Sequence, residues 1–261
     1  MSIPALNFES QLRTYLDKFK AAISDDKGEW LVKGFIDVYR NVYTISVDTK
    51  VASKIIELMI FPLILKLAKE CGYKVVLSEH QNHYPDATFV AADGRKYALD
   101  LKSTYRTSDT TANGFTLGAF TGYFRQRDSN KNVTFPYGAY AGHYVLDIIY
   151  SRTEGDVDEF KVFGLDDLES IVSVVRNFLL LIQPKWKLAS ARPGSGNTKN
   201  IGSVTEIDDL LHGRGPFSEL GEDVFDDYWT NYMTADMALA IESDVKYRNL
   251  KEYFAWRGTR E

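Results

Sequence analysis

The sequence predicts a mixed α/β fold, a central β-sheet flanked by helices. Three observations predict it. A long apolar stretch after residue 50 has the spacing and the ends of a helix. From Tyr73 to Tyr105 the pattern changes to short β-branched and aromatic runs around an Asp93-Gly94 turn. The C-terminal third returns to helical spacing.

Taken in order, Phe8, Leu12, Tyr15, Leu16 and Phe19 fall at helical intervals and form one apolar stripe. Asp48 can cap a helix running from Thr49 to about Cys71, with a bend at Pro62 and a stop at Gly72. Strands are expected at Tyr73 to Leu77, Ala87 to Ala92 and Tyr97 to Tyr105, the last two joined as a hairpin. His143 to Tyr150 and Glu159 to Leu165 read as two more strands, and Asp166 to Ile182 as a helix capped by Asp166 or Asp167. Gly194 to Gly202 reads as a loop, and Glu222 to Met233 and Ser243 to Ala255 as helices.

The 261 residues show no repeat, low-complexity tract or linker, so one domain over 1–261 is expected, with a helical C-terminal part from about 222 to 261. One cysteine, Cys71, permits no intrachain disulfide and fits a cytoplasmic protein. Lys54, Glu57, Pro62 and Lys66 interrupt the most apolar stretch, so no membrane span is expected. The formal charge of −5 weighs mildly against a nucleic-acid partner, although a carboxylate cluster for a metal would itself add negative charge.

Chemistry concentrates between Asp86 and Lys102. Asp100 and Lys102 are two residues apart on a strand and project to one face, and hairpin pairing brings Asp86 to Asp100. Two hard carboxylates suit Mg²⁺, which keeps waters and phosphate oxygens as its other ligands. An ammonium beside them can orient or help deprotonate an attacking water, or stabilise developing charge. From the residues alone the competing reading stays open, because an Asp-x-Lys strand pair is commonly a solvated ion pair.

Pro85-Asp86 followed by Asp100-Leu101-Lys102 resembles the signature of the PD-(D/E)xK nuclease superfamily. Asp48 to Val51, Gln81 to Asp86, Phe115 to Gly118, Gly194 to Thr198, Asn200 to Ser203 and Asp227 to Tyr232 narrow the resemblance to the EcoRV-like type II restriction endonucleases. These segments occur in the family's order and span most of the chain. The resemblance implies a restriction-endonuclease-like core and Mg²⁺-dependent hydrolysis of double-stranded DNA. It also implies Asp86 and Asp100 as metal ligands, the Leu101 carbonyl as a further metal contact and Lys102 as catalytic lysine. Glu57 matches an accessory acidic residue, or is a surface glutamate paired with Lys54 or Lys50.

Gly194, Ser195, Gly196, Asn197 and Thr198 match the loop that enters the major groove, where an Asn amide can bond adenine bidentately. Gln81 and Asn82 match a loop on the minor-groove side, Ser103 and Thr104 residues near the scissile phosphate, and Lys131 a phosphate contact. The implied site is GATATC, cut at its centre to blunt ends. A palindrome implies a homodimer, with the helical segment at about 1–40 contributing to its interface and a separate cognate DNA methyltransferase. Thr230 and Met233-Thr234-Ala235 depart from the family's basic pattern, which puts phosphate clamping by the C-terminal arm in doubt. The alternatives are a repair or junction nuclease with the same core and a catalytically silent DNA-binding protein.

Overall fold

A computed structural model describes residues 7–45, 48–80, 83–153, 160–194 and 197–259, with the backbone alone at 197 and 198. In chain order the elements are α1 (Phe8–Arg13), α2 (Leu16–Ile23), β1 (Gly34–Ile36), β2 (Val42–Thr44), α3 (Thr49–Glu70), β3 (Lys74–Leu77), β4 (Ala87–Val90), β5 (Lys96–Tyr105) and β6 (Thr116–Ala119). They continue as β7 (Tyr140–Arg152), β8 (Val162–Phe163), β9 (Val175–Pro184), α4 (Lys185–Leu188), β10 (Ala189–Gly194) and β11 (Asn197–Ser203). The C-terminal part holds α5 (Ile207–His212), α6 (Glu222–Asn231), α7 (Ala235–Leu239) and α8 (Leu250–Gly258). The described strands form a five-stranded sheet in the order β3-β4-β5-β7-β9 and two three-stranded sheets, β1-β2-β8 and β10-β11-β6.

The fold divides into two compact units; four of the five boundaries fall inside β3, β5, β7 and β9, and the fifth lies between β5 and β6. One unit comprises residues 1–75, 101–113 and 146–182, the other 76–100, 114–145 and 183–261.

In the first unit α3 forms as the sequence expects. The Asp48 carboxylate accepts the Lys50 N–H at 2.7 Å, and Gly72 beyond the last turn takes φ +77°. Pro62 lies within this one helix. Ala52, Ile56, Ile60, Ile64, Leu67 and Ala68 are buried along it, and α2 packs against it. The apolar stripe of the N-terminal segment is also consumed here, with Phe8, Leu12, Tyr15, Phe19 and Ile23 all buried. The Tyr73 hydroxyl donates to Gln11 at 2.8 Å, and the Tyr15 hydroxyl to Glu70. The small β1-β2-β8 sheet leaves apolar groups in solvent: Phe35, Ile36 and Val162 on its strands, and Val38 and Tyr39 on the connecting turn.

Two expectations need correction. Residues 166–182 are not a helix. A 3-10 turn at Leu165–Ser170 is followed by β9, with Val175, Phe178, Leu180, Leu181 and Ile182 buried. A dense apolar run satisfies helical and buried-strand patterns alike, and here sheet pairing decides the outcome. Gly194 and residues 197–202 are not an open loop either, because β10 and β11 pair antiparallel there; residues 195 and 196 lie outside the described residues. Of the strand expected at Glu159 to Leu165, only Val162–Phe163 forms among the described residues.

The second unit is rich in aromatic packing. Phe120, Trp229, Tyr228, Tyr232, Tyr247 and Tyr253 form a connected cluster through ring centroids 4.9–5.5 Å apart. In its β10-β11-β6 sheet the glycines set the strand spacing. A Cβ on Gly202 would meet the Arg192 carbonyl oxygen at 2.8 Å and the Gly194 nitrogen at 3.0 Å. Gly202→Ala is accordingly expected to cost about 1–3 kcal/mol through overpacking. Urea denaturation reads this directly, and an unchanged midpoint would show that the strands can separate freely.

Candidate active site

The antiparallel pairing of β4 with β5 sets Ala87 opposite Leu99, Thr88 opposite Ala98 and Phe89 opposite Tyr97. Extended by one residue, that register sets Asp86 opposite Asp100. Opposite residues on an antiparallel pair share a face. Asp86 is half-buried just before β4, and Asp100, on β5, is only 6% exposed. Burial of an acid demands a partner or a cation. Among the described residues no group of three or more His, Cys, Asp or Glu forms a metal cage. A pair of hard carboxylates nonetheless suits Mg²⁺, which takes one or two carboxylates and fills its remaining positions with water and phosphate oxygen.

Behind Asp86, in the same unit, Tyr84 anchors the approach to β4. Its hydroxyl lies 2.9 Å from His143 Nδ1, and its backbone pairs with Val133. Burial, and then the nearby charges of Lys185 and Arg127, push the His143 pKa well below its ordinary value. The neutral ring can therefore accept the Tyr84 proton. Lys185 is itself buried, with its ammonium 4.8 Å from the Tyr84 ring centroid and 4.9 Å from that of Tyr137.

β5 carries Leu101, Lys102 and Ser103 into the other unit. There they line a cleft of about 230 Å³ with Ser53, Ile56 and Glu57 of α3 and Ile148 of β7. The Ser103 hydroxyl donates to Ser53 Oγ at 2.6 Å, and the Thr104 hydroxyl to the Asn113 carbonyl at 2.7 Å. Glu57 lines the cleft and also pairs with Lys54 at 2.7 Å, the surface ion pair that the sequence offered as one of its two readings.

Lys131 is exposed in a turn, its N–H bonded to Ser129 Oγ at 3.1 Å. Gly194 ends β10 and is registered with Asn197 at the start of β11, and Thr198 follows on the same strand. Gln81, Asn82, Ser195 and Gly196 lie outside the described residues.

A family model for restriction endonuclease EcoRV matches residues 26–258. The chain belongs to the EcoRV restriction endonuclease family. The type II restriction enzyme EcoRV of Escherichia coli is 34% identical over 238 residues, which cover 90% of this chain and 94% of that enzyme. Membership makes the protein a restriction endonuclease, a hydrolase of DNA with the α/β architecture seen here.

The sequence reading passed over one buried acid, Asp147. It lies on β7 and is fully buried, with neither carboxylate oxygen hydrogen-bonded among the described residues. Burial raises its pKa from 3.8 to about 8, against the smaller opposing pulls of the adjacent Ile148 N–H, which falls short of hydrogen-bond geometry, and of the Lys102 charge. The only sequence signal was an acid inside an apolar strand. In the folded chain this carboxyl stays protonated up to about pH 8, whereas in the unfolded chain it ionises above about pH 4. Its contribution to stability is thus complete below about pH 4 and is lost as the pH rises through that window. Asp147→Asn is expected to flatten the fall in melting temperature between pH 4 and 8. A parallel pH profile for the variant would show that the carboxyl ionises normally.

Proposed function

We propose that this family member is a Mg²⁺-dependent, homodimeric type II endonuclease that cuts GATATC at its centre to leave blunt 5′-phosphate ends. The observation that carries the catalytic part is the β4–β5 register, which sets Asp86 opposite Asp100 and leads on to Lys102 along β5. Asp86 and Asp100 would hold the metal, with the Leu101 carbonyl as a further ligand. When bound, the metal stabilises charge at the phosphorus and lowers the pKa of its water.

The protein's own groups do the rest. Lys102 orients the attacking water and offers positive charge to the phosphate. Glu57 is an accessory acid in the cleft that holds Lys102. Ser103 and Thr104 have hydroxyls anchored at 2.6 Å and 2.7 Å, which fix the backbone after the lysine.

For recognition, Gly194 to Thr198 would enter the major groove at the end of the β10–β11 hairpin, with the Asn197 amide reading adenine. Gln81 and Asn82 would act on the minor-groove side and Lys131 on a phosphate. A palindromic site calls for two-fold symmetry. Because the first helices bury their apolar stripe inside their own unit, the exposed Phe35, Ile36, Val38 and Tyr39 supply the dimer contact. The enzyme would act in the cytoplasm beside a separate methyltransferase of the same specificity.

A repair-type substrate would give a ladder of fragments in place of discrete ones. Digesting a plasmid of known sequence with Mg²⁺ and sequencing the ends decides between them. Blunt ends within GATATC are expected, discrete ends elsewhere would discard the site, and no cleavage would leave a silent binder. Asp100→Ala should lower cleavage by at least a thousandfold with melting intact, and residual activity near the parent would remove Asp100 from the mechanism. Val38→Asp should convert a dimer to monomer in light scattering, whereas an undisturbed dimer would place the interface elsewhere.

A further inference from the structure

We propose that two buried hydrogen bonds from β7, His143 to Tyr84 and Tyr140 to Thr88, are positioning contacts that hold Asp86 for the metal. Each is 2.9 Å long, and all four residues are buried. They engage the residues two before and two after Asp86, so the acid stands midway between them. The rings of Tyr84, Tyr140 and His143 also pack on one another, with centroids 5.3–6.5 Å apart.

The two bonds reach across a strand. β5 lies between β4 and β7 in the sheet, so the Tyr140 hydroxyl must pass it to meet Thr88. Ala98 of β5 stands opposite Thr88 and shares its face, where it presents only a methyl group. Asp86 and Asp100 come two residues further along, at the next level of the same pairing. The segment bearing Asp86 is thus tied to the strand on the far side of Asp100.

Backbone pairing does not supply this hold. The first pair of the β4–β5 ladder is Ala87 with Leu99, which leaves Asp86 one residue beyond its end. Element ends open most readily. Apolar side chains at the same four positions would stabilise the fold about as well, because a buried hydrogen bond adds little net stability. Apolar contact has no preferred direction, whereas a hydrogen bond does. Direction on both sides of Asp86 is what the two bonds add, and a metal held by two carboxylates needs their separation fixed.

The inference rests on the reading of Asp86 and Asp100 as metal ligands. It is tested in the full-length protein by calorimetric titration with Mn²⁺ in place of Mg²⁺, plasmid cleavage across a Mg²⁺ series, and melting temperature. Thr88→Val removes the hydroxyl at nearly constant shape, and Thr88→Ser keeps it. Thr88→Val with Tyr140→Phe, and Tyr84→Phe with His143→Leu, remove both partners of one bond and strand neither. Both double variants should melt within about 3 °C of the parent. Each should bind Mn²⁺ about five- to tenfold more weakly and need correspondingly more Mg²⁺ to cleave, a smaller loss than for a group bonded to the ligand itself. Thr88→Val should share that loss, and Thr88→Ser should recover most of it.

Parental Mn²⁺ affinity in the double variants would overturn the proposal. So would equal losses in Thr88→Ser and Thr88→Val, or losses of affinity that track losses of melting temperature, which would mark structural contacts. Asp100→Ala binding Mn²⁺ as the parent does would remove the metal site, and this inference with it. Weakened binding in Asp100→Ala beside unchanged binding in the double variants would remove this inference alone.

Discussion

The site depends on one pairing, that of β4 with β5. Ala87 opposite Leu99 is a backbone register, yet it decides where two carboxylates stand. A slip of one residue would turn every side chain on one strand to the other face. Apolar burial prevents the slip, since Ala87, Phe89, Ala98 and Leu99 are all within the core and Asp93-Gly94 closes the turn with Gly94 at φ +85°. The chemistry of Asp86 and Asp100 is thus fixed by the neutral residues between them.

This register was legible from sequence because the signals were local: a turn dipeptide, alternation, and two acids at matching distances from the turn. The long helix α3 was equally plain, with the Asp48 cap and Gly72 marking its ends. What could not be read was decided by distant contacts. β9 has an apolar run that suits a helix or an interior strand, and its place beside β7 settles the matter. The 194–202 segment reads as a loop by composition, yet its Gly202 serves close strand packing against β10. Asp147 was invisible for the same reason, since its character comes from what surrounds it on other strands.

The second unit places a buried cation and a buried imidazole beneath Tyr84. Lys185 and His143 share one set of rings, Tyr84 and Tyr137, and burial, reinforced by the charge of the first, keeps the second neutral. A neutral acceptor then holds the Tyr84 hydroxyl, and Tyr84 sets the chain two residues before Asp86. The acid that would meet the metal is therefore supported by polar groups that never reach solvent. Each of them loses hydration on folding, which the cation–π contacts and the Tyr84–His143 hydrogen bond partly offset.

The glycine contact between β10 and β11 has a bearing on how such enzymes diversify. With Gly202 pressed against Arg192 and Gly194 of β10, and Gly194 against Thr116 of β6, the paired strands have little room for new side chains here. Variation is then channelled to positions away from that contact. Those positions can drift by single mutations, while the paired strands are held by selection for packing alone.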